Sequence, residues 1–476
     1  MIAVQFAVVL AAIFLGARLG GIAIGFAGGL GVLVLALLGL KPGAMPLDVV
    51  SIIMAVIAAI AAMQVAGGME YLVDLADRIL RKNPKHLCFL APMITYVMSL
   101  MAGTGHTAFS TLPVIAQVAK ENNIRPSRPL SLAVVSSQIA ITASPISAAV
   151  VFFSGVLAKR GIDYLQLLAV AIPSTFLACM ATAGIMMAID KVRGTTELST
   201  HPEYQRRLAA GTVVGMERQP GEAAPMAVTT ELSAPSEGQG RVATGTVMLQ
   251  ERVQKDSKQR EIAPRAKMSV LIFVIGLVGV MGYATAISPN IGLISNPVMT
   301  RDDSIIAFML STAAIIVLAC KAPASEILSA STFKAGMSAS ICVLGVAWMG
   351  TTFVSAHQKE IMSFSGHLLS SQPWLLAVVL VFASALLYSQ AATTQALMPT
   401  ALAIGVAPFA AVAAFPAVSA LFILPTYPTL LAAVQMDDTG TTQIGKAVFN
   451  HPFIVPGLIN VAIAVGLGFL FGSVIL

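Results

Sequence analysis

The sequence predicts an all-α polytopic membrane protein made of two inverted repeats, each with five spans, a re-entrant hairpin and a helix broken at the midplane. Three observations carry this prediction. The chain of 476 residues is 57% hydrophobic and only 11% charged, with a mean hydropathy of +0.85, a balance that soluble domains do not show. Long apolar stretches are interrupted in matched fashion, at Gly103-Thr104-Gly105-His106-Thr107 and at Ser389-Gln390-Ala391-Ala392-Thr393-Thr394. Each is followed by a second break at a proline, Ser144-Pro145-Ile146-Ser147 and Pro425-Thr426-Tyr427-Pro428. Prolines also recur between the halves: Pro84 with Pro373, Pro113 with Pro399, Pro145 with Pro428 and Pro173 with Pro456, at an offset that drifts only from 289 to 283 residues.

The N-terminal stretch Met1 to Leu15 has the apolar core of a signal peptide but lacks a positive start and a small-residue cleavage site, so it reads as the first span. Full spans follow the hydropathy at 2–17, 21–40, 49–67, 130–157, 164–189, 268–287, 304–320, 336–355, 412–434 and 452–474, judged against about 20 residues per crossing. Before the first interruption, Met69, Leu72, Val73, Ala76, Ile79 and Leu80 recur at helical spacing opposite Glu70, Asp74, Asp77 and Arg78. That pattern suits a helix lying in the membrane interface, and 359–371 is its expected counterpart. Segments 87–119 and 374–410 read as hairpins that enter and leave on one side.

Residues 190–267 hold twelve of the 28 Lys/Arg and ten of the 22 Asp/Glu, and are rich in Gly, Ala, Pro and Ser. They read as a largely disordered linker with a short helix near 203–209. The domain organisation is therefore 1–189 and 268–476 as the two repeats, joined by 190–267. Arg81, Lys82 and Lys85 precede the first hairpin and Lys120, Arg125 and Arg128 follow it, which sets both its ends in the cytoplasm. The second hairpin then opens outward, both termini lie outside and the linker lies inside. Lys41, Lys159 and Arg160 run against that rule.

Polar, helix-breaking residues at membrane depth are tolerated only where they are buried in protein or line a cavity, and breaks at corresponding positions of two halves point to a transporter's binding site. The predicted substrate-binding residues are Gly103, Thr104, Gly105, His106, Thr107, Ser144, Pro145, Ser147, Ser389, Gln390, Thr393, Thr394, Pro425, Thr426, Tyr427, Pro428 and Thr429. The set has hydroxyls, amides and glycines but no Asp, Glu, Lys or Arg. Helix N-termini at such breaks favour anions without a cationic side chain, and two facing sites suit a short dianion such as a dicarboxylate. His106 is read either as a proton relay or as a neutral hydrogen-bond donor. Asp437 and Asp438, at the cytoplasmic end of the second broken helix, are either a gate or a solvated turn.

Other function classes are excluded or weak. The charge is dispersed over the linker and span ends, which gives no nucleic-acid surface. Cys88, Cys179, Cys320 and Cys342 lie in or beside apolar runs and read as packing residues, so no metal site or cofactor is expected. No nucleophile–base set or phosphate loop marks an enzyme. A sodium-coupled organic-anion carrier is an alternative, and a dicarboxylate-binding membrane regulator that partners a sensor kinase is another.

The segments Gly16-Ala17-Arg18-Leu19-Gly20-Gly21-Ile22-Ala23, Met101 to Thr107, Asn122-Asn123-Ile124-Arg125-Pro126, Thr142 to Ser147, Tyr388 to Ala392 and Ile423 to Pro428 resemble the anaerobic C4-dicarboxylate uptake (Dcu) family. The resemblance covers both halves and skips most of 190–267. It implies a carrier of the bacterial inner membrane for fumarate, succinate, malate or aspartate, working by exchange or proton symport. More distantly the layout is similar to the ion-transporter superfamily, which implies a homodimer with an elevator-like motion. Divalent-anion symporters there carry Ser-Asn-Thr at both hairpin tips. The different tips in this chain weigh against sodium coupling.

Overall fold

The computed structural model describes residues 2–19, 22–45, 47–211, 213, 264–287, 293–294, 296–353, 355–357, 372, 374–387, 389–424, 427–445 and 450–476. Among these, seven helices are long and apolar enough to cross a membrane, and a bent pair makes an eighth. The all-α, polytopic class expected from hydropathy is the class observed.

The first half opens with α1 (Ile2–Leu19), α2 (Ala23–Leu37) and α3 (Leu47–Val65). The chain turns through Gly67 into α4 (Gly68–Lys82), which lies at 68° to α3. Helix α4 is the expected amphipathic element. It buries Met69, Ala76 and Leu80 and lines the other face with the i,i+4 ion pairs Asp74–Arg78 and Asp77–Arg81. Helices α5 (Leu87–Ala102) and α6 (Ala108–Glu121) pack together as the first hairpin. Next come α7 (Ser127–Ile139), α8 (Ala148–Ala158) and α9 (Tyr164–Arg193).

Helix α10 (Pro202–Ala209) falls where the linker was expected to hold a short helix. Residues 195–211 do not hang free. The Arg125 amide donates to the Thr196 carbonyl and the Leu198 amide to the Asn123 carbonyl, each at 3.1 Å. Tyr204 is buried with Leu198 and Val213. Arg207 pairs with Glu203 and donates to the Asp438 carbonyl at 3.0 Å. This strap therefore ties the α6–α7 turn to the loop after the second broken helix. Residues 214–263, the bulk of the linker, lie outside the described residues.

The second half comprises α11 (Pro264–Ala286), α12 (Arg301–Cys320), α13 (Ser331–Cys342, continued by a π turn at Val343–Ala347), α14 (Leu375–Leu387), α15 (Gln390–Ala403), α16 (Pro408–Ala414), α17 (Pro428–Met436) and α18 (Ile454–Ile475). The expected interfacial segment 359–371 lies outside the described residues. The halves interlock reciprocally: α3 packs on α12 as α13 packs on α2, α6 packs on α17 as α15 packs on α8, and α9 lies against α18. At the α2–α13 crossing the backbones nearly touch. A Cβ on Gly345 would sit 1.8 Å from the Gly25 carbonyl oxygen, so only glycine permits that approach.

Burial separates two kinds of helix. Helices α1, α12 and α18 present large apolar side chains outward, with Phe14, Leu318 and Val474 at 67%, 77% and 82% exposure, as lipid-facing surfaces do. In α7 every residue from Pro129 to Ile139 is buried. Its hydroxyls bond inward: Ser136 donates to the Pro92 carbonyl at 2.7 Å, and Thr95 of α5 donates to the Ala133 carbonyl at 3.1 Å. The four cysteines are free, three of them buried.

Arg160, on the unexpected side by the charge rule, has a structural role. Its guanidinium donates to the Leu402 carbonyl at 3.1 Å, at the C-terminal end of α15, where orphan carbonyls and the helix dipole both favour a cation.

Candidate functional site

Each interruption seen in the sequence ends one helix and starts another. The first hairpin tip turns at Gly103, whose φ of 65° is left-handed and whose missing Cβ would lie 3.2 Å from the Ile146 carbonyl oxygen. The hairpin tip thus rests on the first break. Gly105-His106-Thr107 forms a 3-10 turn that leads into α6. The Thr107 hydroxyl shares a 2.9 Å hydrogen bond with Ser99 Oγ across the hairpin.

In the first break, α7 tightens to a 3-10 turn at Ala140–Ala143 and the chain becomes extended at Ser144 and Ser147. The Ser144 hydroxyl donates to the Leu100 carbonyl at 2.6 Å, clasping the hairpin. The Pro145 carbonyl accepts from the Tyr164 hydroxyl at 2.5 Å. Ser147 caps α8, its Oγ accepting from the Val150 amide at 3.2 Å.

In the second half, Ser389 caps α15 by accepting from the Ala392 amide at 3.1 Å. A 3-10 turn at Phe415–Ser419 precedes the second break, and Pro428 opens α17 with Tyr427 as its N-cap. A proline at the first helical position loses no hydrogen bond there. Pro145, by contrast, lies inside its break, three residues ahead of α8.

Gln138, the penultimate residue of α7, joins these pieces. Its Nε2 donates to Thr429 Oγ1 at 3.2 Å, and its main-chain carbonyl accepts from Gln390 Nε2 at 2.7 Å. Its amide also fills the place of the side chain that Gly105 lacks, 2.7 Å from where a Cβ would stand. One residue therefore touches both hairpin tips and the start of α17. The sequence reading passed over Gln138 because it sits inside a predicted span and breaks no helix. The signal present was a Ser-Ser-Gln run, Ser136-Ser137-Gln138, in an otherwise apolar stretch.

The predicted donors behave unevenly. The Ser144, Thr393 and Thr394 hydroxyls donate to the Leu100, Ser389 and Gln390 carbonyls at 2.6, 2.7 and 2.7 Å, and so hold the backbone. Ser147 and Ser389 accept as caps, which leaves their hydroxyl hydrogens facing away from the helix they cap. The Thr104 carbonyl accepts from Thr107 at 3.4 Å. Pro425 and Thr426 lie outside the described residues, as does the side chain of His106.

The electrostatics follow from helix direction. Helices α6, α8, α15 and α17 all begin at the breaks. At their far ends, Lys120 pairs with Asp438 at 2.5 Å where α6 and α17 finish, and Arg160 reaches Leu402 where α8 and α15 finish. Each pair is thus parallel, with its N-termini at the centre. An N-terminus is worth roughly half a positive charge, so four of them supply about two without any cationic side chain. Asp437 is not a free gate carboxylate: its Oδ2 accepts from Thr441 Oγ1 at 2.8 Å and from the Thr442 amide at 2.7 Å, and its Oδ1 accepts from Thr439.

Comparison with known proteins places the chain among transporters. The family described as "Anaerobic c4-dicarboxylate membrane transporter" matches residues 1–476. The C4-dicarboxylate transporter DcuA of Wolinella succinogenes is 57% identical over 477 residues, covering 100% of both chains. DcuA of Escherichia coli K12 is 54% identical over 476 residues, again covering 100% of both. The anaerobic C4-dicarboxylate transporter DcuB of Escherichia coli O6:H1 is 36% identical over 99% of this chain and 98% of its own. A crystal structure of the Alcanivorax borkumensis YdaH transporter has a TM-score of 0.49 at 14% identity, covering 90% of this chain and 84% of that one.

Proposed function

Because the chain belongs to the anaerobic C4-dicarboxylate membrane transporter family, we propose that it is a secondary carrier of four-carbon dicarboxylates: fumarate, succinate, malate and aspartate. It works by exchange, by proton symport or by both, in the bacterial inner membrane. The observation that carries this reading to a site is the junction at Gln138, which contacts Gly105, Gln390 and Thr429 at the starts of α6, α15 and α17, with the first tip resting at Gly103 on Ile146 just ahead of α8. About two units of positive potential in a site without fixed cations suit a ligand with two carboxylates. Main-chain N–H groups at these helix starts orient the carboxylates, and the hydroxyls of the predicted site keep the tips in shape.

The proposal extends to the architecture. Residues 1–189 and 268–476 are taken as inverted repeats, supported by the reciprocal packing of α3 on α12 and α13 on α2, and of α6 on α17 and α15 on α8. Both termini lie outside, with 190–267 in the cytoplasm, and the functional unit is a homodimer. The alternative of a regulator bound to a sensor kinase assigns the linker as the contact.

Radiolabelled succinate uptake into proteoliposomes tests the function, with vesicles preloaded with fumarate or left empty, all without sodium. Uptake only into preloaded vesicles establishes exchange. Uptake into empty vesicles under an inward proton gradient establishes symport and raises the case for His106 as the relay, which His106→Gln then tests. No uptake until sodium is added refutes the sodium-independent reading.

A further inference from the structure

We propose that Gln138 and Gln390 form a carboxamide pair that receives the substituent on carbon 2 of the bound dicarboxylate, and that this subsite favours a primary ammonium group. The inference rests on the site reading given above. Both side chains are buried, at 0% and 4% exposure. Gln390 is pinned by its Nε2, which donates to the main-chain oxygen of Gln138 at 2.7 Å. A carbonyl oxygen only accepts, so this bond fixes which end of the Gln390 amide is which. Its Oε1 then faces away, buried and without a hydrogen-bond partner. Gln138 Oε1 is likewise buried and unpartnered, while its Nε2 is engaged by Thr429.

Two buried carbonyl oxygens without donors are costly in a folded protein. Nothing in a carboxylate relieves them, because an ionised carboxylate only accepts. The helix N-termini supply the donors that carboxylates need, so acceptors beside them address a different part of the ligand. On a four-carbon dicarboxylate that part is carbon 2. A methylene there offers no donor, a hydroxyl offers one, and an ammonium offers three. Two buried acceptors without donors, on side chains joined through the Gln138 main-chain carbonyl, match the ammonium. Gly105 lets the Gln138 amide stand at this point: a Cβ there would come 2.7 Å from its Nε2 and displace it.

The test is competition against labelled succinate exchange in proteoliposomes of the whole protein. Competitors are L-aspartate, L-malate and methylsuccinate, which share the carbon skeleton and carry an ammonium, a hydroxyl or a methyl group at carbon 2. In the wild type the order of potency is aspartate, malate, methylsuccinate, with aspartate at least about tenfold ahead of methylsuccinate, the ratio expected for a hydrogen bond to a charged group. In Gln390→Met and Gln138→Met the aspartate-to-methylsuccinate ratio collapses toward one. Methylsuccinate competing as well as aspartate in the wild type would overturn the proposal, whether or not the variants fold. An unchanged ratio in folded variants would do so too. Loss of succinate exchange by the wild type itself would overturn the dicarboxylate reading as well, which separates the two failures.

Discussion

Replacing Gly105 by alanine tests the centre of the site with one methyl group. Gly105 has no left-handed φ, so alanine fits its backbone. The obstacle is Gln138, whose Nε2, Cδ and Oε1 lie 2.7, 3.2 and 3.3 Å from the new Cβ. That amide is the far end of a flexible side chain, so it swings aside rather than straining the hairpin. Swinging breaks its 3.2 Å bond to Thr429, about 1 kcal/mol, and leaves a buried amide unsatisfied, about 1 kcal/mol more. The total of about 2 kcal/mol corresponds to roughly a 30-fold rise in the apparent KM for succinate exchange. Gly155→Ala in α8, where nothing lies within 4 Å of the new Cβ, should leave KM unchanged. In a Gln138→Ala background the added methyl at Gly105 no longer meets the amide that crowds it, so the double variant should match Gln138→Ala alone. Simple additivity of the two single effects, or an unaltered KM in Gly105→Ala, refutes the geometry.

Three other outcomes are expected. Thr107→Val and Thr393→Val each weaken transport strongly while the protein stays folded in the membrane. Thr107→Val acts by opening the Ser99 clasp, and Thr393→Val by removing the hydroxyl bond to the Ser389 carbonyl, which keeps only its main-chain amide donor; wild-type uptake in both sinks the site assignment. Asp190→Asn removes the buried carboxylate that holds the partly exposed Arg128 at 2.5 and 2.7 Å, a change that costs up to about 3 kcal/mol; an unmoved thermal midpoint in detergent contradicts it. Burial, reinforced by the nearby Arg125, holds the His201 pKa below its ordinary value, while Asp437 and Glu203 oppose that shift. A histidine whose pKa is lowered on docking binds protons more readily undocked, so the strap is firmest above about pH 6.5 and loosens as pH falls through that value. The protection factor of the Leu198 amide, its exchange rate corrected for the intrinsic pH dependence of amide exchange, should therefore fall at pH 5.5 relative to pH 7.5, and His201→Gln should abolish the difference.

The class of fold and the location of the breaks were legible because lipid imposes its rules locally. A span needs about 20 apolar residues, and an interruption at depth needs a partner or cavity, so hydropathy and glycine, proline and hydroxyl positions suffice to find both. Amphipathic α4 and short α10 were readable for the same reason, as periodicities within a few turns. What the sequence could not assign was the division of labour inside the site. Ser144, Thr393 and Thr394 look like ligand donors in a string, yet the Thr393 and Thr394 protons turn back to carbonyls one helical turn earlier, and that of Ser144 to the Leu100 carbonyl, which only packing brings near. Asp437 looks like a free carboxylate until its four donors are seen. Gln138 shows the other side: a polar residue in the middle of a span gives no periodic signal, and its importance arises only when residues 252 and 291 positions away in the chain arrive beside it. Local chemistry fixed where helices stop; contacts across the two halves decided which of the buried polar groups were left without a protein partner.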